Sequence, residues 1–168
     1  QPRLLANEAA DATALLEAAL RRDGVTLELG RRVQQVTQRA DARSLLLDDG
    51  RVIEADVVLV AAGRRRNTEG LNLEAAGVEV DRDSGIIVDE RLRTRNRRVH
   101  AAGDVCSRLQ FTQNADAQAR MIVRNTLFLG RARRDALVIP WCTYTKPEIA
   151  RVGASPSELQ QQGRRFEA

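Results

Sequence analysis

Apolar positions along this chain change their period several times, and each change marks an element. Ala12, Leu15, Leu16, Ala19 and Leu20 fall at i, i+3, i+4, i+7 and i+8, which predicts a helix packed on one face. Asn7 or Asp11 is placed to cap its start, and Gly24 to end it. Residues 25–29 follow as a strand closed by Gly30, so that helix and strand make half of a βαβ unit. Alternation then takes over. Residues 33–38 and 43–47 read as half-polar strands, and Asp48-Asp49-Gly50 turns tightly into a third at 51–54. The expected product is a β-meander inserted ahead of residues 57–60 (Val-Val-Leu-Val), an apolar run of the kind buried on both faces of a parallel sheet.

Beyond an Arg-rich connection at 64–68, a short helical turn is expected around 71–76, ended by Gly77. A hairpin of 78–80 and 86–88 surrounds Asp81-Arg82-Asp83-Ser84-Gly85. That turn echoes the opening of a calcium loop, but Ile86 stands where such a loop needs Gly and Leu92 where it needs Glu. A plain turn is the reading. Ala115, Ala119, Ile122, Val123, Thr126 and Leu127 share the face of a second helix stopped by Gly130. A strand-like region then opens at 138–141, filled by Tyr144, Ile149 and Val152 and punctuated by Pro147, before a helix at 156–162. A fold that opens a new segment so near its last residue is expected to be an internal fragment.

Composition narrows the class. With 168 residues, 43% hydrophobic and 30% charged, the chain is globular rather than disordered. Its net charge of +4 comes almost entirely from arginine, Lys146 being the single lysine. Acidic residues interleave with the arginines, and aromatics make up only 3%, so nucleic acid is not an expected partner. Cys106 and Cys142 lie far apart and form no metal-ligand spacing, and His100 is the only histidine, which argues against a zinc site. No apolar run approaches the ~18 residues that span a bilayer. The start shows neither an initiator Met nor a signal-peptide pattern, so the expected location is cytoplasmic, away from membranes.

The chemistry concentrates in Val99-His100-Ala101-Ala102-Gly103-Asp104-Val105. Side chains almost vanish at Ala-Ala-Gly, and then one carboxylate appears. Such a strand end lets a ligand approach closely and offers Asp104 as an acceptor for its hydroxyls, as in a polyol or ribityl chain. The same carboxylate equally suits a loop or helix cap, and spacing alone leaves both open. Residues 57–63 repeat the idea and end in Ala61-Ala62-Gly63, followed by Arg64-Arg65. The helix starting near Ala115 adds free N–H groups with partial positive charge.

Four ordered stretches together carry a resemblance: residues 57–63 with Arg64-Arg65-x-Asn67-Thr68, the 99–105 strand, residues 111–120, and Trp141-x-Thr143-Tyr144-Thr145-x-Pro147-Glu148-Ile149-Ala150-x-Val152-Gly153. The chain resembles the pyridine nucleotide-disulfide oxidoreductases, FAD flavoproteins that include dihydrolipoamide dehydrogenase, glutathione reductase and mercuric reductase. Its 141–153 wording is most similar to the mercuric-reductase-like members. The resemblance implies an α/β, Rossmann-like FAD/NAD(P)-binding architecture, incomplete, with the start of an α+β dimerisation domain. Residues 1–68 would be the C-terminal part of the NAD(P)-binding domain, 69–137 the C-terminal segment of the FAD-binding domain, and 138–168 the opening of the dimerisation domain. Asp104, presented by Gly103, would accept from the FAD ribityl hydroxyls or the adjoining pyrophosphate region. Backbone N–H groups at Asn114 and Ala115 would face the flavin O2 side, and Ala62, Gly63 and Arg64 would lie beside the nicotinamide nucleotide.

Departures from the family pattern are Arg66 and Arg97 where Pro is common, His100 for an aromatic and Lys146 for Asp. Losing two prolines suggests a less rigid variant. The Gly-rich fingerprints, the Cys-x4-Cys redox pair and the C-terminal His-Glu pair are missing, and Cys106 and Cys142 do not replace that dithiol. Cys106 reads as a small loop residue and Cys142 as interface filler. The parent is therefore expected to be a homodimeric enzyme moving electrons from NAD(P)H through FAD to a disulfide or metal ion, with this piece inactive alone. The alternatives are a dithiol-lacking flavin reductase of ferredoxin-reductase or NADH-oxidase type, and a non-catalytic interaction module.

Overall fold

The computed structural model describes residues 1–39 and 42–167. Two compact units emerge: Gln1–Gly63 with Cys142–Ile149 and Ala154–Ala168, and Arg64–Trp141 with Ala150–Gly153.

In the first unit, α1 (Ala10–Arg22) forms where periodicity predicts it and buries Thr13, Leu16 and Ala19, while Leu15 stays 68% exposed. Its N-cap is Ala9, so neither Asn7 nor Asp11 takes that position. Asp11 instead accepts the Ala12 N–H at 2.8 Å, and Arg3 braces the entry by donating to the Ala6 and Glu8 carbonyls. Gly24, at φ 87°, ends the helix as expected. Strands β1 (Val33–Arg39), β2 (Ala42–Leu47) and β3 (Val52–Ala55) form the meander in the order β1-β2-β3, with both pairings antiparallel. Gly50 at φ 83° and the Asp49 carboxylate, which accepts the Arg51 N–H at 3.2 Å, close its turn.

The strands expected at 25–29 and 57–60 do not form, and neither segment joins a ladder among the described residues. Residues 25–28 are irregular and lead into a turn at 29–30, with Glu28 held by a two-pronged pair to Arg51 at 3.0 and 2.6 Å. An apolar run becomes a strand only when neighbours satisfy its backbone, and here none do.

The second unit has one core: Val78, Ile86, Leu92, Ala101, Cys106 and Met121. Around it lie turns at 69–77, the two-residue strands β4 (Val80–Asp81) and β5 (Gly85–Ile86), and α2 (Thr112–Leu127). The helical turn expected at 71–76 is irregular, and the 78–88 hairpin is shorter than expected. Asp81 accepts from the N–H groups of Asp83 and Ser84 and from the Ser84 hydroxyl, which closes the turn between β4 and β5. No cluster of metal-ligating side chains occurs among the described residues. Arg66 reaches the carbonyls of Asp83 and Ser107, which ties the 64–68 connection to the 81–85 turn and the 106–110 loop. Strands β6 (Trp141–Thr143) and β7 (Ile149–Arg151) make a last two-stranded sheet, and α3 (Pro156–Gln161), which belongs to the first unit, starts with a Ser155/Glu158 capping box. No helix among the described residues is long and apolar enough to cross a membrane.

Candidate functional site

The buried Ala-Ala-Gly segment differs from the strand expected at 99–105. Its ladder shrinks to a single bridge between Arg93 and His100, supported by Ala101 N–H donating to the Leu92 carbonyl at 3.1 Å. Gly103-Asp104-Val105 then coils into a 3-10 turn, closed by Cys106 N–H on the Gly103 carbonyl at 3.1 Å. Gly103 is required twice over. Its φ is 78°, and a Cβ there would stand 3.0 Å from the Ala115 Cβ. Small residues at 103 and 115 thus let the turn rest directly on α2, leaving the Asp104 side chain half-exposed above.

Helix α2 buries only part of the face periodicity suggested, with Ala115 against Gly103 and Ile122 on the core. Ala119, Val123, Thr126 and Leu127 face solvent, while Asn114, Gln118 and Met121 are buried. The polar members of that stripe are held by the turn and its loop. Gln118 Oε1 accepts the Gly103 N–H at 2.7 Å, and Gln118 Nε2 donates to Asn114 Oδ1 at 3.2 Å. Asn114 Nδ2 in turn donates to Ser107 Oγ at 2.9 Å and to the Leu109 carbonyl at 2.6 Å. Buried amides with every partner in place hold a loop at one height.

The N-cap of α2 is Phe111, whose carbonyl accepts the N–H groups of both Asn114 and Ala115 at 3.1 Å. Those two groups, expected to face a flavin, are therefore occupied within the helix. The N–H groups preceding the first intrahelical bond belong to Thr112 and Gln113, and the electropositive end sits there. Phe111 stacks on Trp141 with centroids 5.6 Å apart and planes 12° from parallel, and the Arg151 guanidinium lies 4.5 Å from the Trp141 ring centre. Gln113 Nε2 also donates to the Pro140 carbonyl at 2.8 Å.

Arg64 lies 3.8 Å from the Asp104 carboxylate and donates to the Gln110 carbonyl at 2.8 Å. Both partners are at least half exposed, so the pair is worth about 0–1 kcal/mol and leaves the carboxylate able to accept from a ligand. The structure thus brings Gly103, Asp104, Ala115, Asn114 and Arg64 together within the second unit. Ala62 and Gly63 end the exposed 57–63 run of the first. Below the turn, burial pushes the Cys106 thiol up to about 11, against the milder opposing pull of Arg134 and Arg66. This cysteine, 7% exposed, is a core residue rather than the small loop residue expected.

Sequence reasoning missed Gln118 and the side chain of Asn114. Their signal was an amide pair at i and i+4 beside Ala115, a spacing that also suits a solvated face.

The family model for pyridine nucleotide-disulphide oxidoreductases matches residues 1–119, and the chain belongs to that family. Members of the family use FAD and NAD(P)H. The chain is 36% identical over 151 residues to a mercuric reductase of Staphylococcus aureus, covering 88% of this chain and 28% of that relative. It is also 36% identical over 142 residues to a dihydrolipoyl dehydrogenase of Chlamydia muridarum, covering 84% and 30%. Among solved structures, the flavoprotein disulfide reductase RclA of Escherichia coli superposes with a TM-score of 0.85 at 27% identity, covering 95% of this chain and 37% of that one. LpdA of Mycobacterium tuberculosis gives 0.83 at 30%, covering 92% and 34%. The chain therefore spans 28–37% of the length of these proteins.

Proposed function

We propose that the turn at Gly103-Asp104 holds the ribityl arm of FAD, in a protein that moves electrons from NAD(P)H to a disulfide or metal-ion substrate. One observation carries the reading: Gly103, at φ 78°, rests against Ala115 and presents a half-exposed carboxylate above a close-packed backbone. That cradle suits the cofactor, because a Cβ at 103 would press on Ala115 and lift the turn, moving Asp104 with it. Asp104 accepts hydroxyl protons of the arm, and Arg64, expected beside the nicotinamide nucleotide, instead stands 3.8 Å from Asp104 and adds positive charge there. The N–H groups of Thr112 and Gln113 offer partial positive charge to the electron-rich edge of the ring system, where reduction builds negative charge. When bound, FAD supplies the hydride and electron chemistry, and the protein contributes orientation and electrostatics.

The domain assignment goes with this reading: 1–68 to NAD(P) binding, with Ala62 and Gly63 at the nicotinamide nucleotide, 69–137 to FAD binding, and 138–168 to a homodimer contact in the cytoplasm. The mercuric and dihydrolipoyl relatives support both substrate classes. The test uses the full-length protein bearing this chain. Visible flavin absorbance that bleaches anaerobically with NADH or NADPH, and returns on adding Hg(II) or a disulfide, is expected. A colourless protein that leaves NAD(P)H untouched would overturn the reading.

A further inference from the structure

We infer that Gln118, backed by Asn114, is a positioning residue for the flavin carboxylate Asp104, an assignment that rests on the flavin reading above. The two amides form a one-way relay whose ends are fixed by backbone groups. Gly103 offers only an N–H, so it must meet the Gln118 oxygen, at 2.7 Å. The Leu109 carbonyl can only accept, so it must meet the Asn114 nitrogen, at 2.6 Å. Between these ends, Gln118 Nε2 donates to Asn114 Oδ1 at 3.2 Å, and the remaining Asn114 proton goes to Ser107 Oγ at 2.9 Å. Neither amide can turn over without setting donor against donor or acceptor against acceptor. Gln118 is 4% exposed and Asn114 2%, so water does not substitute for a lost partner.

The geometry has a consequence for Asp104. The loop from Gly103 to Leu109 is clipped to one helix face at both ends, and the carboxylate stands between the clips. Arg64 adds a third hold just beyond, through the Gln110 carbonyl. Two buried amides are a costly way to pack a helix that an apolar pair would pack as well. They do, however, fix the height of the turn over Ala115, which apolar contacts alone leave free to slide. Gln118 itself, beneath the turn, touches no ligand and acts through Gly103.

Two variants of the full-length protein separate positioning from packing. Gln118→Met keeps the side-chain length and removes the acceptor. Gln118→Glu keeps an oxygen within reach of Gly103, and its carboxyl, held neutral by burial, still donates toward Asn114. Amide exchange of Gly103 and FAD affinity by flavin fluorescence titration are measured for both. In the Met variant, Gly103 exchange accelerates and the FAD dissociation constant rises by about tenfold, as expected for an orphaned buried N–H. In the Glu variant both return toward the unaltered values. Should the Met variant fail to fold, Gln118→Asn, which draws the amide back by one methylene, is read in its place with the same outcomes. A Met variant with unchanged exchange and unchanged affinity overturns the inference while leaving the flavin reading intact. A full-length protein that takes up no FAD at all overturns both.

Discussion

Ala-Ala-Gly occurs at residues 61–63 after four apolar residues and again at 101–103 after Val99-His100, and the two copies live in different surroundings. Ahead of the first, Val57, Leu59 and Val60 are 79%, 89% and 81% exposed, and no ladder forms among the described residues. At the second, Ala101 is 7% exposed, Leu92 beside it is fully buried, and α2 lies directly against Gly103. The tripeptide therefore does not decide its own environment. What decides it is whether partners lie within the chain: the 92–101 turnback and α2 supply them for one copy only. The difference also separates two kinds of glycine, one free of neighbours at 63 and one wedged at 103.

The largest contrast should come from paired leucine truncations. Leu92→Ala empties a fully buried site and is expected to cost about 3 kcal/mol in urea unfolding, whereas Leu59→Ala should stay within about 0.5 kcal/mol. Equal losses would mean that residues 57–63 are packed after all. Next come the glycines. Gly103→Ala combines a left-handed φ with a Cβ placed 3.0 Å from Ala115, for an expected loss of about 2 kcal/mol. Gly63→Ala, at φ 130° with nothing within 4 Å, carries backbone strain without a clash and should cost about 1 kcal/mol.

Thiol labelling sharpens the picture of the buried side. Cys142 is partly exposed, while Cys106 is buried with its thiol pushed up to about 11, so native protein should release one equivalent of label quickly and the second only on unfolding. Two fast equivalents would contradict a closed core beneath the turn.

The smallest effect concerns pH. Desolvation pushes Asp89 upward, but the Arg93 guanidinium and the N–H groups of Arg93 and Arg91 outweigh it and hold the carboxyl at about 2. Because the folded value lies below the unfolded one, this carboxylate's stabilisation is complete above the unfolded range near 4 and fades as pH falls toward 2. Asp89→Asn should flatten that part of an acid-unfolding curve, and an unchanged slope would remove Asp89 as a contributor.

Local signals carried far in this molecule where elements complete themselves. Helix α1, the Asp49-Gly50 turn and the Asp81 turn all depend on neighbours close in sequence, and all were legible. The buried face of α2 was not. Periodicity assigns apolar residues to the core, and here the core side of the first two turns carries Asn114 and Gln118, whose partners lie 15 and fewer residues away in an irregular loop. The start of α2 was misplaced for a related reason: Phe111 supplies the cap with its carbonyl, which leaves no side-chain signature. The long strands at 25–29 and 57–60 failed because a hydrophobic pattern states what could be covered without supplying the cover. The stack of Phe111 on Trp141 joins residues thirty positions apart and had no local signal at all.

The central claim is that Asp104 grips the cofactor, and its most direct measurement is the FAD dissociation constant of the full-length protein with and without Asp104→Ala. Loss of a charge-assisted hydrogen bond is expected to raise that constant by about tenfold or more, with the fold intact by circular dichroism. An Asp104→Ala protein that keeps its flavin as tightly as the unaltered one would contradict the account.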